Sequence, residues 1–161
     1  MKKTIVLAIF TLQGNGAERF ALTLAKGLID AGHEAHIVYF KNIIDLPIPE
    51  GVKLHFFDYQ KYRAIPKFMR SGIAAKAFDK FVLKNIGTPD LVLSNLLPVD
   101  FILSKSQLPN VHLVIHNTTS LEYGERLEGM RKELTKIYLA KPCVAVSQGV
   151  EKDFIEVFGR K

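Results

Sequence analysis

The stretch TIVLAIFTLQGNGAERFALTLAKGLIDAGHEAHIVYF, residues 4–40, decides the fold. Residues 4–10 form a continuous apolar, β-branched run, the pattern of a strand covered on both faces. Gly14, Asn15 and Gly16 then turn the chain. Over residues 17–31 the apolar side chains Phe20, Ala21, Leu24, Ala25 and Leu28 recur at spacings of three and four, which predicts a helix that Gly32 ends. Residues 34–40 supply the next strand. Two strands joined through a helix are parallel neighbours with a right-handed crossover.

The same alternation continues outward from this unit. Strands are expected at residues 52–57, 90–94, 111–116 and 143–146, and helices at 65–85, 98–104, 123–139 and 150–158. The fold class is therefore α/β: a doubly wound, mostly parallel, Rossmann-like sheet with helices on both faces. The 161 residues, 48% hydrophobic and 24% charged, suffice for one core, so a single domain over residues 1–161 is expected. There is no internal repeat and no low-complexity segment.

Cys143 is the single cysteine, which excludes a disulfide framework or a cysteine zinc site and fits a reducing compartment. Met1, Lys2 and Lys3 before the apolar residues 4–12 imitate a signal peptide. The run is short, however, no small-x-small cleavage site follows, and the chain passes directly into a helix, so a first buried strand is the better account. No stretch approaches the ~20 apolar residues that cross a bilayer. The net charge of +6 favours an anionic partner without choosing among nucleic acid, lipid and phosphorylated sugar.

Ligands of such sheets bind outside the carboxyl ends of the strands. Here those ends are residues 11–17, the segment after Phe40, residues 94–98 with Asn95, residues 116–120, and the turn at Ser147 and Gly149. In the first of them, Gly14, Asn15, Gly16, Ala17, Glu18 and Arg19 join a strand to a helix. Glycines there allow close backbone approach, and a helix amino terminus favours an anion. A nicotinamide or flavin site fails on two details: Arg19 replaces the third glycine, and the second strand ends in Tyr39, Phe40 and Lys41 rather than in a ribose-binding acid. Glu18 lies in the first helical turn, where interaction with the helix dipole alone accounts for a carboxylate.

His116 closes a buried strand and precedes Asn117, Thr118 and Thr119. A histidine beside amide and hydroxyl groups at a strand end suits hydrogen bonding to a sugar, against the commoner structural role of a lone histidine. His33, His36, His55 and His112 have no carboxylate or thiol at ligand spacing, and no metal is expected. No G-x-S-x-G elbow, Walker loop, H-E-x-x-H or paired-cysteine motif is present, and Ser147 lacks the flanking glycines of a hydrolase nucleophile.

Residues 61–84 carry Lys61, Arg63, Lys67, Arg70, Lys76, Lys80 and Lys84 against Asp79 alone. Interleaved are Ile65, Phe68, Met69, Ile73, Ala77, Phe78, Phe81 and Val82. One account is a core-facing stripe with a solvated cationic back. The other is a surface that rests on anionic lipid headgroups through Lys61, Arg63, Lys67 and Arg70. Nucleic acid is not expected, since no recognised binding module accompanies the charge.

Several of these stretches, in order, resemble family-4 glycosyltransferases. The loop from Gly14 to Arg19 resembles that family's G-G-A-E-R loop, with Asn15 where glycine is frequent. Leu22, Leu24, Ala25, Gly27 and Leu28 resemble its L-A-x-x-L helix, and Gly32, His33, Glu34 and Ala35 to Val38 its G-H-E-V-x-V strand entry. The run from Asp90 to Asn95 is similar to its D-v-v-h-s-n strand, and that from Cys143 to Val150 to its v-a-V-S-e-g-v segment. The resemblance implies one half of a GT-B fold in a retaining, metal-independent enzyme with no cofactor, moving a hexose or related sugar from a nucleotide-diphosphate donor to a glycan or lipid-linked acceptor.

By the same resemblance, residues Gly14, Asn15, Gly16, Ala17 and Glu18 approach the donor diphosphate and the acceptor, and His116 lies near the reacting sugar. Asn95, Asn117, Thr118 and Ser147 share that ligand edge. The family's donor is held mainly by a second domain with a Glu-x7-Glu motif, which residues 1–161 do not contain. The chain is thus expected to be an acceptor-side fragment, inactive alone, with a linker starting near Gly159, Arg160 and Lys161. It would supply acceptor positioning, while electrostatic stabilisation of the departing diphosphate is the usual account of the chemistry. A bacterial envelope polysaccharide or lipopolysaccharide pathway is expected, in the cytoplasm and peripheral to the inner face of the membrane. The alternatives are a stand-alone glycan- or anionic-lipid-binding module and a nucleotide-dependent oxidoreductase.

Overall fold

Six strands form one sheet in the order β3-β2-β1-β4-β5-β6, every neighbouring pair parallel. They are β1 (Thr4–Ile9), β2 (Glu34–Tyr39), β3 (Lys53–Phe56), β4 (Leu91–Asn95), β5 (Val111–Ile115) and β6 (Cys143–Ala145). The helices are α1 (Gly16–Asp30), α2 (Lys67–Asn85), α3 (Val99–Leu103), α4 (Thr119–Tyr123), α5 (Leu127–Ala140) and α6 (Gln148–Phe158). This computed structural model describes residues 1–159. The expected start of a linker at Arg160 and Lys161 lies outside the described residues.

The central strand β1 is apolar throughout because it is covered on both sides, with Val6, Leu7 and Ala8 fully buried. Its odd-numbered residues Ile5, Leu7 and Ile9 pack with Ala17, Ala21, Leu22 and Ala25 of α1. Its even-numbered Val6 and Ala8 join the larger core with α2, α3, α5 and α6, anchored by Phe40, Phe78 and Leu134. Burying each of these large side chains contributes about 1.5–3 kcal/mol. Helices thus lie on both faces, α1 on one and α2, α3, α5 and α6 on the other.

Three local features depart from the sequence expectation. The helix expected over residues 123–139 breaks at Gly124, whose φ of +51° interrupts the helical path; α4 ends before it, a 3-10 turn (Gly124–Arg126) follows, and α5 begins at Leu127. Phe20, expected on the buried stripe of α1, is 36% exposed, while the stripe runs through Ala17, Ala21, Leu22 and Ala25. In α2 the buried positions are Ala74, Ala75, Phe78 and Val82, and Phe68, Met69 and Ile73 stay exposed. The first half of α2 is therefore apolar on a side that no element covers among the described residues.

Strand order reverses direction between β1 and β4, so the connections leave this point toward opposite edges of the sheet. A crevice opens at such a switch point, outside the carboxyl ends of the strands. The turn after β1 and the end of β4 flank it here.

Candidate functional site at the carboxyl edge of the sheet

The turn between β1 and α1 is shaped by Glu18. This residue is 4% exposed, and its carboxylate accepts hydrogen bonds from the Thr11 hydroxyl, from the Gly14 N–H and, at 2.8 Å, from the Asn15 N–H. As the third residue of α1 it also sits where the helix dipole favours negative charge. Gly14 takes φ +126°, a conformation that side-chain-bearing residues rarely adopt, and Arg19 Nε donates to its carbonyl at 3.1 Å. Asn15 and Gly16 remain exposed, whereas Ala17 is buried in the core. Of the five residues expected to meet a ligand here, Asn15 and Gly16 are exposed and Gly14 half-buried, but the N–H groups of Gly14 and Asn15 are held by Glu18 and their carbonyls by Arg19, which leaves the Gly16 backbone open. Glu18 holds the loop from within, and Ala17 packs the helix onto the sheet.

Across the switch point, Asn95 is 1% exposed at the end of β4. Its Nδ2 donates to the Ala8 carbonyl of β1 at 3.2 Å and to the Leu93 carbonyl at 3.3 Å. Its Oδ1 stands 2.8 Å from His116 Nε2 at the end of β5. The Phe20 ring makes a T-shaped contact with the same imidazole, with centroids 4.9 Å apart and planes at 77°. Burial pushes the His116 pKa down to about 4, so the ring is neutral at pH 7. Asn95 and His116, far apart in sequence, thus meet at the centre of the edge.

His116, Asn117, Thr118, Leu121, Glu122 and Val150 line a cavity of about 520 Å³. Partial desolvation raises the Glu122 pKa, and a hydrogen bond from the Asn117 side chain pulls it back down. Leu121 is 82% exposed at the rim. Ser147 is placed elsewhere: its hydroxyl caps α6 by accepting from the Val150 N–H at 3.3 Å, and it lines a separate cavity of about 530 Å³ beside β6 with Gln148 and Glu151. Asp153 of α6 accepts from both the N–H and the hydroxyl of Ser120, which ties α4 to α6.

Beneath the edge, on the opposite face of β4 from Asn95, the Asp100 carboxyl is buried and accepts from Ser94 Oγ at 2.6 Å and Tyr138 OH at 3.2 Å. Desolvation raises its pKa to about 6, the two hydroxyls opposing the shift. Phe20, Asp100, Leu121 and Glu122 are site residues that the sequence did not single out. Phe20 matched a core stripe, and Asp100, Leu121 and Glu122 belong to no motif.

The four cations expected at a membrane surface differ in availability. Lys61, Arg63 and Lys67 are exposed, beside the exposed Phe68 and Met69. Arg70 is half-buried, and its guanidinium donates to the Arg63 and Ile65 carbonyls, holding the loop before α2. Among the described residues, no group of three or more His, Cys, Asp or Glu is placed to hold a metal ion, and no helix is long and apolar enough to cross a membrane.

The family model described as Glycosyltransferase Family 4 matches residues 14–161. The chain belongs to glycosyltransferase family 4. Curated proteins yield no match to the sequence. Among solved structures, this family-4 chain is similar to sucrose-phosphate synthase from Thermosynechococcus elongatus, at TM-score 0.68 and 14% identity, covering 96% of this chain and 45% of that one. It is also similar to α,α-trehalose 6-phosphate synthase from Burkholderia multivorans, at TM-score 0.56 and 16% identity, covering 98% and 43%. At these identities the two likenesses speak for the fold alone. The chain spans less than half the length of either protein.

Proposed function

We propose that this family-4 chain is the acceptor-side domain of a glycosyltransferase that moves a hexose-type sugar from a nucleotide-diphosphate donor to a glycan or lipid-linked acceptor. The observation that carries the reading is the contact of Asn95 with His116 beside the switch point of the sheet, which the Gly14–Gly16 turn borders from β1. In this reading the Gly16 N–H and the amino end of α1 face the donor diphosphate, while the Gly14 and Asn15 N–H groups stay on Glu18. The neutral His116 contacts the transferred sugar, and Asn117, Thr118 and Glu122 offer hydrogen bonds to acceptor hydroxyls in the adjoining cavity. Glu18 positions the turn, and Ser147 positions α6. A second domain supplies most donor contacts, and transfer retains the anomeric configuration without a metal.

Lys61, Arg63 and Lys67, with the exposed Phe68 and Met69, would rest on anionic lipid at the inner face of a bacterial membrane, where envelope polysaccharide or lipopolysaccharide acceptors are assembled. The decisive experiment incubates the full-length gene product with nucleotide-diphosphate hexoses and lipid-linked glycan acceptors. Transfer is expected to survive EDTA, to preserve the anomeric configuration of the donor, and to fall about 100-fold in His116→Ala. Absence of transfer across the panel, combined with glycan or lipid affinity in the protein alone, would favour the binding-module reading.

A further inference from the structure

The partners of Asn95 fix the proton on His116. Both groups near Asn95 Nδ2, the Ala8 and Leu93 carbonyls, are pure acceptors, so the amide must turn its NH2 toward them. Its Oδ1 then faces His116 Nε2 at 2.8 Å as an acceptor, and that contact is a hydrogen bond only when Nε2 carries the proton. A neutral imidazole has one proton to place. With Nε2 protonated, Nδ1 holds a lone pair, and Nδ1 has no protein partner among the described residues and is not sealed from solvent.

We infer that Asn95 is a positioning residue that locks His116 as the Nε2–H tautomer and presents Nδ1 to the ligand edge solely as a hydrogen-bond acceptor. The backbone of β1 thereby sets the chemistry offered at the end of β5, through one amide that spans β4. Phe20 restrains the ring from the side of α1. An accepting Nδ1 engages a hydroxyl and repels a phosphate oxygen, which is itself an acceptor. His116 therefore reads a sugar hydroxyl and leaves the diphosphate to the Gly14–Gly16 turn. This division of labour rests on the glycosyltransferase reading; the tautomer itself does not.

The test is nitrogen NMR of histidine-labelled protein at pH 7. Nε2 should resonate as a protonated nitrogen with a cross-peak to the Asn95 side-chain amide, and Nδ1 as an unprotonated one. A protonated Nδ1, or two averaged nitrogens, would overturn the inference. In Asn95→Ala the Nε2–H should exchange with solvent about tenfold faster, the equivalent of one net hydrogen bond; an unchanged exchange rate would remove Asn95 from the role. Inorganic pyrophosphate added to the wild type should leave Nδ1 unprotonated, whereas its movement to the protonated position would refute hydroxyl selection. A protein with the expected Nε2–H signal that transfers no sugar would sink the activity reading and leave the tautomer standing.

Discussion

The turn after β1 and the ends of β4 and β5 border the same crevice, yet they dispose of their polar side chains in opposite ways. In the turn, the one carboxylate that looks chemically useful, Glu18, is turned inward and engaged by Thr11, Gly14 and Asn15. What stays open is the Gly16 backbone at the start of α1, since the Asn15 N–H and carbonyl are engaged by Glu18 and by the Arg19 N–H. At β4 and β5, the inward group is a neutral amide, and a titratable ring reaches the edge with one nitrogen unengaged. A charged side chain in a motif can thus be scaffolding, while the ligand meets the groups that it holds in place.

Glu18→Ala is the strongest challenge to this contrast. It leaves a buried hydroxyl and two loop N–H groups without their acceptor, and denaturant unfolding should register a loss of about 3 kcal/mol. Normal stability with abolished transfer would instead make Glu18 a ligand group and erase the distinction between the two regions.

An effect of comparable size, about 3 kcal/mol at most, is expected from Asp100→Asn, and it depends on pH. The native pKa of Asp100 is raised to about 6, above the ordinary carboxyl value of 3.8. Below 3.8 the carboxyl is protonated in both states and makes no difference. As pH rises to 6 the unfolded chain ionises first, so native stability declines and the full penalty persists above 6. The variant should therefore melt higher than wild type at pH 7.5 and equally at pH 3.5. His116 acts in the reverse sense: its native pKa of about 4 lies below 6.5, so it lowers stability as pH falls between those values. Asp100 beneath β4 and His116 at the end of β5 consequently tilt the pH profile in opposite directions, and His116→Gln should flatten the acid limb alone.

How much of this was legible follows from the range of the interactions. The βαβ unit was readable because apolar period and glycine punctuation are local; all six strands lie within two residues of the expected bounds at each end. The break at Gly124 was not, since apolar residues keep helical spacing across it and only its positive φ stops the helix. Phe20 was misplaced, and Phe68 was left open between core and surface, because periodicity ranks a face without knowing what covers it. The edge residues Gly14, Asn95, His116 and Ser147 were found from strand ends, but their pairing was hidden. Asn95 reaches His116 across 21 positions and Ala8 across 87, and no spacing rule encodes either contact.

The finest test separates the two glycines of the turn. Gly14 has φ +126° with only Arg19 and Leu46 side-chain atoms, at 3.6 Å, near the site of an added Cβ, so the cost of Gly14→Ala is conformational, about 1–2 kcal/mol. Gly16 has an ordinary φ, opens α1, and would place a Cβ with nothing within 4 Å. Alanine there should leave stability within about 0.5 kcal/mol of wild type. If Gly16 is glycine so that a diphosphate can approach its backbone, the same alanine should cut transfer about tenfold, chiefly through KM for the donor. A variant as stable and as active as wild type would mean that the outward backbone of the turn meets no ligand. The contrast between a scaffolding carboxylate and a ligand-facing main chain would then hold on its structural side only.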